Sequence, residues 1–492
     1  MSRHRRNPSR RALVIRGLFL IFLSFVCYAK KSFAEDGLDA GFLYNEFPLT
    51  LTQGEREEAL GPLFYNETRE SEHTFAVPPL FSYTHNEETD STEFDILYPL
   101  LTFDRYGSEF RWQLIQLLSF AGGETQDVVP KKRTTIFPIY FQQRSPDTNL
   151  NYTAVLPFYG TIKNRLFRDE IFFLMAPLYL QSRKRDIVTD NYLFPLFHIR
   201  LGDGLNGWQF WPIIGKEHKD ITTRTNNFGD EQTIPGHDRF FALWPFYYNQ
   251  TLGIGSENTE KKYGLLPLYS VLRSPNRDST SIIWPLFNSI DDREKKYREW
   301  QGPWPFVVVA RGEGKTLTRF WPLFGRGHNA ILESSFYLYP LYRYNHVHSD
   351  PLDRERTRIL LFLYSQVDER NTETKGSSSR TDFWPFFTYH REFDGNRRLQ
   401  LLAPLEPILP NHKSIERNWS PIWSIWRGEN NPTTGAASQS LLWNLYRHDT
   451  TPTTKKCSLL FGLFQYSSDP DAKRWRLFYI PFGKSQTNAI SK

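Results

Sequence analysis

The chain has 492 residues, with 60 Lys and Arg, 54 Asp and Glu, and two cysteines. Eight of the basic residues lie within the first 34 positions, which hold no acidic one, so the remainder carries 52 basic against 54 acidic residues. A chain so balanced has no net basic excess of the kind that binds nucleic acid. Its single later cysteine, Cys457, excludes an internal disulfide framework and a cysteine-based zinc cluster.

Residues 1–34 read as a secretory signal peptide: a cationic head, an apolar run from Gly17 to Ala29, and the small residues Ser32 and Ala34 before Glu35. The run is too short for a comfortable transmembrane helix. Ser9 to Ile15 fits a twin-arginine signal only loosely, and Cys27 follows Val26 rather than the small residue that lipid attachment wants. Plain export is the expectation. Beyond residue 34 no apolar stretch is long enough to cross a bilayer as a helix. Aromatic residues make up 16% of the chain and methionine is nearly absent, which favours strands.

From Pro62 to Pro481 one phrase recurs, in about 22 copies spaced about 20 residues apart, the mark of a repeat architecture. Its core is an apolar residue, a proline, then Leu, Ile or Phe, then an aromatic. Representative copies are Pro195, Leu196 and Phe197; Trp244, Pro245 and Phe246; Trp284, Pro285, Leu286 and Phe287; Trp321, Pro322, Leu323 and Phe324; and Trp384, Pro385 and Phe386. Four copies, around Gln116, Phe362, Asn444 and Gly462, lack the proline. Gly-, Pro-, Asn- and Asp-rich segments such as Arg273 to Ser279 and Glu392 to Arg398 separate the copies and predict β-hairpins.

The expected fold is therefore all-β: one domain over residues 35–485, followed by a short tail, 486–492. It is an antiparallel meander of about 22 strands of about ten residues, each with the phrase near its middle as an apolar core unit. Such a sheet forms either a large closed barrel or a wound, bent repeat sheet in which proline supplies a corner. Two links deviate, an enlarged polar loop from Lys216 to Asp238 and a tip from Asn371 to Arg380.

Little in the sequence carries catalytic chemistry. Ala310 to Thr316 ends like a phosphate loop, but Val309 stands where the first glycine belongs, and the stretch reads as a hairpin turn. His346, His348 and Asp350 have a spacing that could supply three metal ligands, but a polar hairpin end with incidental histidines is the simpler reading, and no metal is expected. Carboxylates at Ser289 to Lys296 and His85 to Asp90 sit in turns. No nucleophile elbow, HExxH or dinucleotide fingerprint occurs, and neither an enzyme nor a cofactor is expected. The functional expectation is an exported envelope protein, foremost an outer-membrane barrel acting as pore, channel or structural protein. The alternative is a soluble periplasmic or surface scaffold that binds polysaccharide or another envelope protein. Envelope components are the expected partners; nucleic acid is not, and the sequence names no ligand.

Overall fold

The computed structural model describes residues 41–482 apart from 126–128, 130, 226–227 and 471. The expected signal peptide, residues 1–34, and the tail 486–492 lie outside the described residues. The fold is an all-β antiparallel meander, 60% strand and 4% helix. Two compact units make it up: the described residues up to Tyr98 together with those from Pro385 onward, and Pro99–Trp384.

The strands are shorter than the sequence reading expects, most of them five to seven residues, and each repeat holds two of them. The apolar phrase is not mid-strand. In the copy at Pro285, the strand Arg277–Ile282 ends before the phrase and Phe287–Asp292 begins at its last residue, so Ile283 to Leu286 form the turn between them. The Leu286 N–H donates to the Ile283 carbonyl (2.9 Å), and the same i to i+3 bond closes the copies at Leu193–Leu196 and Leu338–Leu341. The Trp284–Pro285, Trp244–Pro245 and Trp321–Pro322 peptide bonds are cis. Proline here has no ladder bond to give up, because the chain is reversing.

Copies without proline close the same turn with residues in the left-handed region: Ile115 and Gln116 (φ 50° and 55°), and Trp443 and Asn444 (φ 55° and 65°). Two turn chemistries thus serve one reversal. Successive phrase turns are also joined to each other. Ile283 donates to the Leu268 carbonyl (2.8 Å), Leu193 to Leu178 (2.7 Å), Leu338 to Leu323 (2.6 Å) and Leu360 to Leu341 (2.8 Å). These bonds add one rung to the ladder beyond the last strand residue. Because the phrase turns fall at every second reversal, within each unit they share one edge of the sheet, and the polar turns share the other.

Within the second unit, consecutive strands pair from Leu101–Tyr106 to Ser377–Phe383. The enlarged link at 216–238 is partly an extra hairpin, Thr222–Thr225 with Glu231–Ile234. Buried side chains cluster where Phe141, Tyr152, Ala154, Ile162 and Phe173 meet. Elsewhere on that face an aromatic ring lies over a glycine directly across the ladder: Phe241 over Gly215 and Phe336 over Gly325. A Cβ on either glycine would come within 2.2 Å of the ring, so glycine is required for that close approach.

The first unit carries the only helices of any kind besides single 3-10 turns among the described residues: Lys413–Asn418 and Ser420–Trp423. Pro421, whose neighbours Ile422 and Trp423 match the phrase in sequence, instead sits in the first turn of the second helix, where its missing N–H costs nothing. The first of them, Lys413–Asn418, packs on the strands Phe81–Asn86 and Ser91–Ile96. Asn418 Nδ2 donates to Ser82 Oγ and to Asp95 Oδ2 (both 3.0 Å), Tyr65 donates to the Arg417 carbonyl (3.0 Å), and Ile415 is buried beside them. Among the described residues the first strand, Asn45–Pro48, pairs with Gly54–Ala59 alone, and the last, Ile480–Phe482, with Lys473–Leu477 alone.

This placement moves the phrase out of the core. Leu286 is 38% exposed whereas Phe173 is 1% exposed. Phe173→Ala is expected to cost about 3–5 kcal/mol and Leu286→Ala about 1 kcal/mol or less in chemical denaturation. Equal losses would mean that the phrase is core after all.

Candidate functional site

Three features carry chemistry. The first is a polar cavity of about 210 Å³ in the first unit, lined by Arg56, Glu58, Glu67, Arg398, Arg427 and Glu429 among others. Arg56 bridges Glu58 (2.7 Å) and Glu67 (2.8 Å) and lies over the Tyr65 ring (4.0 Å). Arg427 and Arg398 converge on Glu429 (2.6 and 3.0 Å), and Asn444 Nδ2 donates to Glu58 (2.6 Å). Burial alone would raise the Glu429 and Glu67 carboxyls, but the guanidiniums beside them outweigh it and hold both below the usual carboxylate range. Burial pushes the Tyr65 hydroxyl up to about 12. Glu67 and Glu429 are therefore fixed as anions, and neither is poised to give up a proton at neutral pH. The network reads as the polar filling that joins the early strands of this unit to its late ones.

The second feature is the histidine pair of the second unit. His346 lies on the strand Tyr342–Val347, and His348 follows just beyond it. Asp350 does not join them; its carboxylate accepts a hydrogen bond from Thr372 (3.0 Å). The acid that does is Asp353, on the next strand Leu352–Ile359, with Oδ1 2.6 Å from His346 Nε2 and Oδ2 3.3 Å from His348 Nδ1. Glu355, directly across the ladder from His346, stands 3.8 Å from the same nitrogen. The donor atoms of His346, His348 and Asp353 all lie within 4.8 Å of one another. Burial would raise the Asp353 carboxyl, but its contacts with the two imidazoles hold it low. Two imidazoles and one carboxylate are the donor set of a divalent transition-metal site with open positions. Sequence spacing misses Asp353 because the hairpin register, not chain order, brings it across.

The third feature is the apolar edge. Along the second unit the phrase residues project from the turns: Ile283 is 50% exposed, Trp284 47% and Leu338 54%. Behind them, on one face, the first strand residues form an aromatic row. Tyr179 pairs with Tyr192 and Tyr192 with Phe197, with rings 5.3 and 5.8 Å apart, and Phe320 pairs with Phe324 (5.2 Å). Four residues further along the strands the same face is charged. There Arg273, Asp278, Asp291, Arg298 and Arg311 succeed one another across the ladder. At about 3.3 Å per residue that row lies about 13 Å from the aromatic one.

Comparison with known protein families and with curated proteins gives no match.

The donor geometry has a direct check. Titration of the chain with Zn²⁺ is expected to show a site that Asp353→Asn weakens roughly tenfold or more and that Asp350→Asn leaves unchanged. Equal behaviour of the two variants would remove Asp353 from the donor set.

Proposed function

We propose that this chain is a non-enzymatic, exported envelope protein, a β-repeat scaffold seated on the outer membrane by its apolar edge. The observation that carries this reading is the alignment of the phrase turns on one edge of the sheet, each exposing aromatic and aliphatic side chains. A continuous apolar strip of that length is far beyond the scattered apolar surface of an ordinary soluble protein. Its depth separates two ways of meeting lipid. A spanning barrel needs a lipid-facing band about 25 Å tall, whereas an interfacial element buries its apolar side about 5–10 Å. Here the apolar zone comprises the turn and one or two strand residues before the charged row intervenes. Trp and Tyr at that level suit the boundary between headgroups and acyl chains. Export rests on the signal-peptide pattern of residues 1–34.

Vesicle flotation tests the reading. The chain without residues 1–34 is expected to float with phospholipid vesicles. The triple variant Trp284→Ser, Leu286→Ser and Leu323→Ser is expected to bind at least roughly tenfold more weakly, since each apolar side chain contributes about 1.5 kcal/mol or more when buried. A chain that stays in the aqueous fraction, soluble and monomeric without detergent, defeats the proposal.

A further inference from the structure

The face opposite the aromatic row carries a group of arginines just above the apolar edge. Arg343 and Arg358 are directly paired across the ladder between the strands Tyr342–Val347 and Leu352–Ile359, and each is the second strand residue from a phrase turn. Two like charges directly opposite destabilise a sheet, so nothing in folding alone asks for them. Arg356 follows Arg358 on the same face. Arg319 occupies the same level three strands away, through Gly325, Phe336 and Arg343 in register. The acids on this face within reach are engaged by other arginines: Glu369 by Arg354 (3.1 Å) and Asp382 by Arg380 (2.9 Å). Among the described residues Arg319, Arg343, Arg356 and Arg358 have no carboxylate partner within ion-pair distance. The Nε atoms of Arg319 and Arg356 are buried without an acceptor. Burial, and then the charges of Arg358, Arg354 and Arg343, lower the Arg356 guanidinium below its usual range. Such a group lacks an anion.

We infer that Arg319, Arg343, Arg356 and Arg358 form a binding surface for the phosphate groups of anionic phospholipids. The inference rests on the lipid-seated reading and adds headgroup choice to it. Height is what joins the two. Arg343 and Arg358 stand two strand residues, roughly 7 Å, behind the turn ends. When the turns enter the acyl boundary to the usual interfacial depth, the guanidiniums therefore reach the phosphate level. Guanidinium is suited to this because its planar donors match phosphate oxygens in pairs. Leu338, Leu341 and Leu360, exposed in the adjoining turns, supply the apolar contact beneath.

The test compares flotation with vesicles of phosphatidylcholine alone and vesicles that also contain phosphatidylglycerol, using the chain without residues 1–34. The wild type is expected to bind both and to prefer the anionic vesicles. Arg343→Gln with Arg358→Gln is expected to lower binding to the anionic vesicles by roughly 30-fold while leaving phosphatidylcholine binding intact. Its melting temperature should be unchanged or raised, because a repulsive pair is gone. A control, Arg370→Gln with Lys375→Gln at the far edge, should bind as the wild type does. Retained preference in the arginine variant, or an equal loss in the control, overturns the inference and leaves the lipid-seated reading standing. A wild type that binds neither kind of vesicle overturns both.

Discussion

The Ile283 N–H reaches the Leu268 carbonyl, one phrase turn to the turn before it, and the same bond recurs along the edge. The rest of the architecture depends on it. A tight reversal built from Leu, Ile, Trp and Pro places a residue such as Ile283 (φ 49°) or Leu338 (φ 46°) in the left-handed region, which costs about 1 kcal/mol or more. That conformation aims its N–H along the edge, where the neighbouring turn accepts it. Each repeat is thereby held to the next at the turn as well as through the strands, and the first N–H of the turn finds an acceptor among apolar side chains. Stability of this kind is a sum over neighbours, which is how a chain with one cysteine beyond residue 34 and few large buried clusters can stay ordered.

That constraint also explains why the phrase tolerates loss of its proline. What the edge requires is a reversal with a particular donor direction, and Ile115 with Gln116, or Trp443 with Asn444, provides it in another backbone form. The side chains are then free to be selected for what lies outside the edge. Aromatic and aliphatic residues there, beside polar turns such as Asp292 to Lys296 at the other edge, make the sheet amphipathic along its strands rather than across its faces.

Much of this was legible in the sequence. The period of about 20 residues, the polar links and the apolar character on both faces all follow from alternation and turn composition. Where the reading went astray, the cause is physical. A four-residue run apolar on both sides, with a central proline, fits a buried strand as well as a turn whose two sides leave the sheet. Ordinary turn residues were absent, since Leu, Ile and Trp occupy positions that propensity gives to Gly or Asn. The helices at 413–423 were missed because contacts from Tyr65, Ser82 and Asp95, more than 300 residues away in sequence, hold them in place. Asp353 displaced Asp350 beside the histidines through hairpin register. The arginine group left a usable trace in Arg354, Arg356 and Arg358, whose period of two puts them on one face.

On the lipid-seated reading, the phrase edge lies in lipid and the polar edge in water on the same side of the bilayer. Nitroxide labels at Leu286→Cys, Thr280→Cys and Lys375→Cys, each in a Cys457→Ser background on vesicle-bound protein, measure it through collision with oxygen and with a water-soluble nickel complex. The label at 286 should lie about 5–10 Å below the headgroups, with 280 at or above the headgroups and 375 in water. A label at 280 near the bilayer centre, with 286 and 375 both in water, would mean that the strands span the membrane and would contradict the claim.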